Sequence, residues 1–260
     1  MSRFQKRAAV AALVVAASLA SSASAAVVRV SESDFLAGAG LITFSEFAVG
    51  TVNPTYAPTD YGGGAGSPTV TFDGWFVGQS LSATPGVDCP GAAATGCVVG
   101  SPTGPLTLDA AAPDTFISPD GANPTSPVLS GTPLFSGPIA VLFSEDQFGV
   151  GFDGGFFDAV GSTGITAFAR DGTLLGTVSN LGLGIEFLGL VSANADIAGV
   201  FLDLVGAEPA GFAIDNIRFG LRGQIIDPGG PSPIPLPAAG WMLLAGIGGL
   251  AAMRRRRRHG

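Results

Sequence analysis

Apolar residues along this chain come in short bursts separated by turn formers, not in a helical rhythm. The bursts are LITFSEF (41–47), TVTFDGWFV (69–77), IAVLF (139–143), FGVGF (148–152), ITAFA (165–169), LLGTV (174–178), EFLGLV (186–191), IAGVFLDLV (197–205) and FAIDNIRF (212–219). Val, Ile, Phe and Thr dominate them, and Gly, Asp, Asn or Pro bound them. No long segment repeats an apolar residue every three to four positions, so helices are not expected here. The pattern predicts an all-β antiparallel sandwich. A body of about 200 residues is enough for one double-sheet domain with its own core.

Two details sharpen this reading. RDGT (170–173) separates two bursts, and Asp-Gly is a strong hairpin-turn signal. In FAIDNIRF, Phe212 and Ile214 share one parity while Ile217 and Phe219 share the other. A strand of strict period two cannot bury all four on one face. The switch predicts either a bulge at Asp215 and Asn216 or a strand buried on both faces. Between Pro85 and Pro138 the pattern weakens into Pro- and Gly-rich sequence, read as long surface loops with a few edge strands. Cys89 and Cys97 flank CPGAAATGC within it. An even pair in an exported chain predicts one disulfide closing a small loop, with two unpaired thiols as the other reading.

Both ends of the chain depart from the strand pattern. The first 25 residues hold a basic start (Arg3, Lys6, Arg7), an apolar stretch over 8–20 and the small-residue site Ala23-Ser24-Ala25. That order is a secretory signal peptide with cleavage expected after Ala25. Thirteen apolar residues are too few for a membrane-spanning helix. The exported body is then residues 26–226. Residues 227–237 (DPGGPSPIPLP) form an extended linker. Residues 238–253 carry no charge and predict a single, rather short transmembrane helix. A basic tail, 254–260, follows. Its Arg254, Arg255, Arg256, Arg257 and Arg258 act as a stop-transfer block that stays cytoplasmic.

Removing the ends changes the charge balance. All 20 acidic residues lie in or beside the body, against four arginines (Arg29, Arg170, Arg218 and Arg222), a net charge of −16. The only lysine and the only histidine, Lys6 and His259, lie outside it. Nucleic-acid binding needs clustered cations and is therefore excluded as an expectation. Divalent cations or neutral sugars suit such a surface better. With no body histidine, neither a Ser-His-Asp nor a Cys-His constellation can be assembled. Carboxylate pairs remain as candidate chemistry, with Glu46, Glu145, Asp146, Asp153 and Asp158 available but no spacing that marks a pair.

The C-terminal order of proline motif, apolar span and arginine cluster resembles the PEP-CTERM class of bacterial sorting signals, in its VPLPA-CTERM variant. Pro235, Leu236, Pro237 and Ala238 match that motif directly, and Ile234 stands where the variant usually has Val. The resemblance covers about 25 residues, a tenth of the chain. It implies handling by an exosortase-type transpeptidase. It also implies a membrane-bound intermediate at the inner membrane of a Gram-negative bacterium and final residence at the cell surface or in an exopolysaccharide biofilm matrix.

The last burst also resembles the closing strand of jelly-roll carbohydrate-binding modules, so the sandwich is expected to be jelly-roll-like. In those modules the strand's Asp and a Glu near the first strand often hold a structural Ca²⁺. Here the matching positions are Asp215 and Glu46, with solvation of Glu46 and a turn hydrogen bond from Asp215 as the plain alternative. Tyr56, Tyr61, Trp75 and Phe76 offer either an aromatic platform for a sugar or core packing. YGGGAGSPT (61–69) reads as a flexible loop. The functional expectation is a non-catalytic, exported matrix or surface protein that binds carbohydrate. A secreted carboxylate-dependent glycosidase or polysaccharide lyase and a ligand-free coat protein are the alternatives.

Overall fold

The computed structural model describes residues 27–120, 127–204, 206–209 and 211–228. The signal peptide, the sorting motif at 235–238, the apolar span and the arginine block at 254–258 lie outside the described residues. Among the described residues no helix is long and apolar enough to cross a membrane.

The described chain is built on strands: β1 (Val27–Val30), β2 (Gly40–Ile42), β3 (Thr55–Tyr56), β4 (Val70–Asp73), β5 (Gln79–Leu81), β6 (Val98–Gly100), β7 (Thr115–Ser118), β8 (Val128–Gly131), β9 (Ala140–Gln147), β10 (Gly149–Phe157), β11 (Thr163–Phe168), β12 (Leu174–Ser179), β13 (Gly184–Ser192), β14 (Ile197–Leu204) and β15 (Ala213–Gly220). They form two antiparallel sheets packed face to face. One runs β1-β13-β10-β15-β8-β7, with β2 also on β15; the other runs β12-β11-β14-β9-β4-β3. β5 and β6 make a separate ribbon.

Each of the nine apolar bursts contributes to a strand. The alternation explains why: Val70 and Phe72 are buried while Thr71 and Asp73 are only partly so. Inward residues of both sheets meet in one large core that includes Phe72, Phe143, Phe152, Leu188, Leu202 and Ile214. Strand β11, which sits in the interior of its sheet, is buried at every position. The predicted Asp-Gly hairpin joins β11 to β12: Gly172 has φ +85°, and Asp171 accepts the Thr173 N–H at 2.9 Å.

The parity switch in the last burst resolves as a bulge. Gly151 pairs with Arg218 and Asp153 with Asp215, so three steps on β15 answer two on β10. Asn216, at φ +47°, sits within the extra step. Ile214, Ile217 and Phe219 thereby all face the core, each at most 1% exposed.

Within the described part of the Pro- and Gly-rich stretch, loops alternate with the few strands expected there, β6, β7 and β8. β7 and β8 add the far edge of the first sheet, and all of β8 is buried. A satellite core of Trp75, Phe76, Leu106, Phe168 and Phe201 seals the outer face of the second sheet beneath this stretch. Cys89 and Cys97 form the expected disulfide, Cα–Cα 5.8 Å. All four body arginines are ion-paired: Arg29 with Glu186, Arg170 with Asp146, Arg218 with Glu32 and Arg222 with Asp227.

The disulfide closes a loop with a sequence separation of 8, which corresponds to about 2.5 kcal/mol of chain entropy. Replacing both cysteines by alanine is expected to lower the melting temperature by roughly 5–10 °C, measured by differential scanning calorimetry. An unchanged melt would show that the loop is constrained by its other contacts alone.

Candidate functional site

Asp215 and Glu46 occupy neighbouring places in the topology. β2 and β8 both lie along the same flank of β15, β2 meeting it at Ile217 and β8 at Ile214. The bulge falls at this handover, and the turn 43–46 leaves β2 there. Asp215 is buried, and its Oδ1 accepts the N–H of Asn216 at 2.7 Å. The Asn216 amide donates onward to Asp153 Oδ2 at 2.9 Å, reaching from the bulge to the residue that pairs with Asp215. Burial raises the Asp153 pKa; the Asn216 hydrogen bond opposes this, Glu32 adds to it and Arg218 opposes it.

Glu46 folds back on its own turn. Its Oε1 accepts both the N–H and the hydroxyl of Thr43 at 2.9 Å. Its Oε2 is buried without a hydrogen-bond partner, and so is the Tyr56 hydroxyl. Burial first, then the charges of Glu46 and Asp60, push the Tyr56 phenol well above its ordinary value. An orphaned carboxylate oxygen fits a hard cation. The two predicted carboxylates are few for Ca²⁺, which takes six to eight oxygens; backbone carbonyls and water must complete the shell. Among the described residues no cluster of three or more His, Cys, Asp or Glu is placed to hold a metal.

A cavity lies elsewhere, where β2, β9 and β15 end. It holds about 320 Å³ and is walled by residues 37–40, the loop 61–68, Gln147 and residues 219–221 with Gln224. Phe219 forms part of its floor because Gly40 leaves room: a Cβ there would sit 2.4 Å from the ring. Tyr61 stacks edge-on against Phe219 at 5.2 Å, and its hydroxyl donates to the Pro68 carbonyl. Burial pushes the Tyr61 pKa up to about 12. These contacts, with Gly63 N–H to Pro58 at 2.6 Å and Ser67 N–H to Gly64 at 3.1 Å, turn the expected flexible loop into a formed wall. Gly62 (φ +73°) and Gly66 (φ +85°) supply turns that other residues make at a cost.

Polar groups in the cleft are neutral. Gln147 is 1% exposed and donates through Nε2 to the Glu145 carbonyl at 2.8 Å, which leaves Oε1 for the cleft. Gln224 accepts from Leu221 N–H at 2.7 Å and donates to the Gly38 carbonyl at 2.5 Å. Among the described residues no charged side chain lines the cleft.

The four aromatic candidates separate. Tyr56, Trp75 and Phe76 are buried in the cores, whereas Tyr61 lines the cleft. Of the candidate acids, Asp146 pairs with Arg170, Asp153 takes the Asn216 amide, and Asp158 hydrogen-bonds through its side chain to Glu208, a carboxyl absent from the candidates.

One partner escaped the sequence reading. Glu208 is fully buried, takes the Asp158 N–H at 3.1 Å and the Ser162 hydroxyl at 2.6 Å, and receives the Ala93 N–H on its backbone carbonyl at 2.9 Å. It braces the disulfide loop against the turn after β10. No sequence signal marked it, because its partners lie about 50 and 115 residues away.

No protein-family model matches the chain, and no curated protein matches it at significant similarity.

Burial raises the pKa of Glu208 above 4.5, and that of Asp73 and Asp153 above 3.8. A raised folded-state pKa means that folding favours the protonated acid. The resulting stability is complete below the unfolded pKa and is lost as pH rises through the folded one. Thermal melts are expected to fall from about pH 4.5 towards neutrality, and Glu208→Gln should flatten that slope. A melt that rises steadily over this range would contradict the sign.

Proposed function

We propose that this chain is an exported, non-catalytic surface or matrix protein that binds neutral exopolysaccharide in the cleft at Tyr61 and Gln147. The observation that carries the binding reading is that no charged side chain lines that cleft among the described residues, although residues 26–227 carry a net charge of −16. Two glutamine amides, glycine-loop backbone and an aromatic pair suit hydroxyl-rich, uncharged ligands. Polyanions are disfavoured by the surrounding carboxylates.

The disulfide points to an oxidising, extracytoplasmic compartment. On the reading of the tail, an exosortase acts at Pro235, Leu236, Pro237 and Ala238, after Arg254 to Arg258 have halted export at the inner membrane. A jelly-roll-like winding agrees with the chain's passage from one sheet to the other between β9 and β10, β10 and β11, β12 and β13, β13 and β14, and β14 and β15. A structural Ca²⁺ held by Glu46 and Asp215 belongs to the same proposal, supported by the orphaned Glu46 oxygen. Its part is to tie the turn after β2 to the bulge, not to touch the sugar.

Three measurements test this. Gly64 has open space at its Cβ and wall position in the cleft, so Gly64→Trp should fill the cavity without disturbing the fold. Binding of a soluble neutral glucan by calorimetry is expected to weaken at least about tenfold, with the melting temperature unchanged. Undiminished binding rejects the cleft, and release of reducing ends would favour the glycosidase alternative. Chelator should lower the melting temperature of the parent protein but not of Glu46→Gln; equal melts reject the cation. Mass spectrometry of the mature protein should find a C-terminus near the proline motif, and an intact arginine block would count against sorting.

A further inference from the structure

A second groove opens on the outer face of the other sheet, where β11, β12 and β14 meet the ribbon of β5 and β6. It holds about 230 Å³. Phe168 and Phe201 form its floor, 6% and 3% exposed. Thr166 and Thr177 face each other across the β11–β12 ladder with hydroxyls 2.8 Å apart. Gln79, 8% exposed, is held at one end only: its Oε1 accepts the Phe76 N–H at 3.0 Å, which leaves the amide Nε2 for the groove. Leu174, 54% exposed, forms the rim.

The wall opposite the sheet is fixed by close backbone approach. Gly100, at φ +91°, stands where any Cβ would lie 2.5 Å from the Gly78 carbonyl. No charged side chain lines the groove among the described residues. The groove shares no lining residue with the cleft. Phe201 and Ile197 of β14 pair with Ala140 and with Gln147 of the cleft, so four residues of β14, about 13 Å of strand, separate the two positions.

From this geometry we infer that the groove is a second site for an uncharged, hydroxyl-rich ligand, and that the protein is a two-site cross-linker of neutral glycan chains. The phenyl floor takes the apolar face of a sugar ring. The hydroxyl pair and the Gln79 amide take its edge, and both kinds of contact survive in an acidic body because neither needs charge. The cross-linking half rests on the cleft being the first site; the groove stands without it.

The experiment uses the full chain in a detergent without a sugar headgroup, titrated with short neutral gluco-oligosaccharides and then mixed with high-molecular-weight dextran and a soluble β-glucan. Thr177→Trp fills the groove from an exposed strand position, and Gly64→Trp fills the cleft. Thr177→Val, which exchanges the hydroxyl for a methyl group of similar size, guards against loss by misfolding, and melting temperatures accompany every variant. The expected stoichiometry is two for the parent, one for each single tryptophan variant and none for the double. Light scattering from the glucan should grow with the parent alone, and Thr177→Val should weaken groove binding severalfold at an unchanged melt.

One site in the parent, unaltered by Thr177→Trp, overturns the groove and leaves the cleft. One site lost in Thr177→Trp and retained in Gly64→Trp overturns the cleft and the cross-linking while keeping the groove. Two sites with no growth in scattering overturn the cross-linking. No binding by the folded parent overturns both sites.

Discussion

One extra residue in the last strand holds the sandwich together. β15 is the most connected strand of its sheet, bonded to β10 on one flank and to β2 and β8 on the other. Without the bulge at Asn216, a regular strand would turn either Ile214 or the pair Ile217 and Phe219 out to solvent. Each of those side chains is worth roughly 1.5–3 kcal/mol on burial. The left-handed backbone of Asn216 costs about 1 kcal/mol, far less than the burial it permits. The cost is also offset locally, because the Asn216 side chain bonds to Asp153 and its N–H to Asp215. The same residue lets β2 hand over to β8, and the ends of β2 and β15 then delimit the cleft.

Much of this fold was legible in the residue pattern. Short apolar bursts bounded by turn formers located five of the six strands of the second sheet and four of the seven of the first, and the parity break at 214 and 217 marked the bulge. The hairpin at Asp171 and Gly172 followed from the only backbone those residues favour in so short a turn. What stayed hidden is instructive. β7 and β8 are four residues each, set among prolines and glycines, so their burial comes from the sheet they join and not from their own composition. β1 and β3 are similarly short; β1 depends on β13, far along the chain, and β3 on the next strand, β4.

The sites were less legible, for a physical reason. A cleft of neutral groups has no signature in sequence: Gln147, Gln224, Gly64 and Tyr61 are unremarkable one by one, and only the folded ends of three strands gather them. The run at 61–69 does carry a weak sign, since two of its glycines adopt positive φ, but composition alone does not separate a formed wall from a mobile loop. Trp75 and Phe76, the more conspicuous aromatics, went to the satellite core because the stretch after β6 folds over them. Glu208 shows the same limit from the other side: a buried acid is found through its partners, and those are distant in sequence.

The arginine pairing has one more consequence. Each of the body's four guanidinium groups is already matched by a carboxylate. Once both termini are removed, as the sorting proposal has it, the remaining negative charge has no internal counterweight and must be balanced by mobile ions from outside. Where many copies sit close together, those ions are confined with them, and water follows by osmosis. A layer built from such chains would swell in dilute medium and shrink in brine, a mechanical property that no single fold contact dictates.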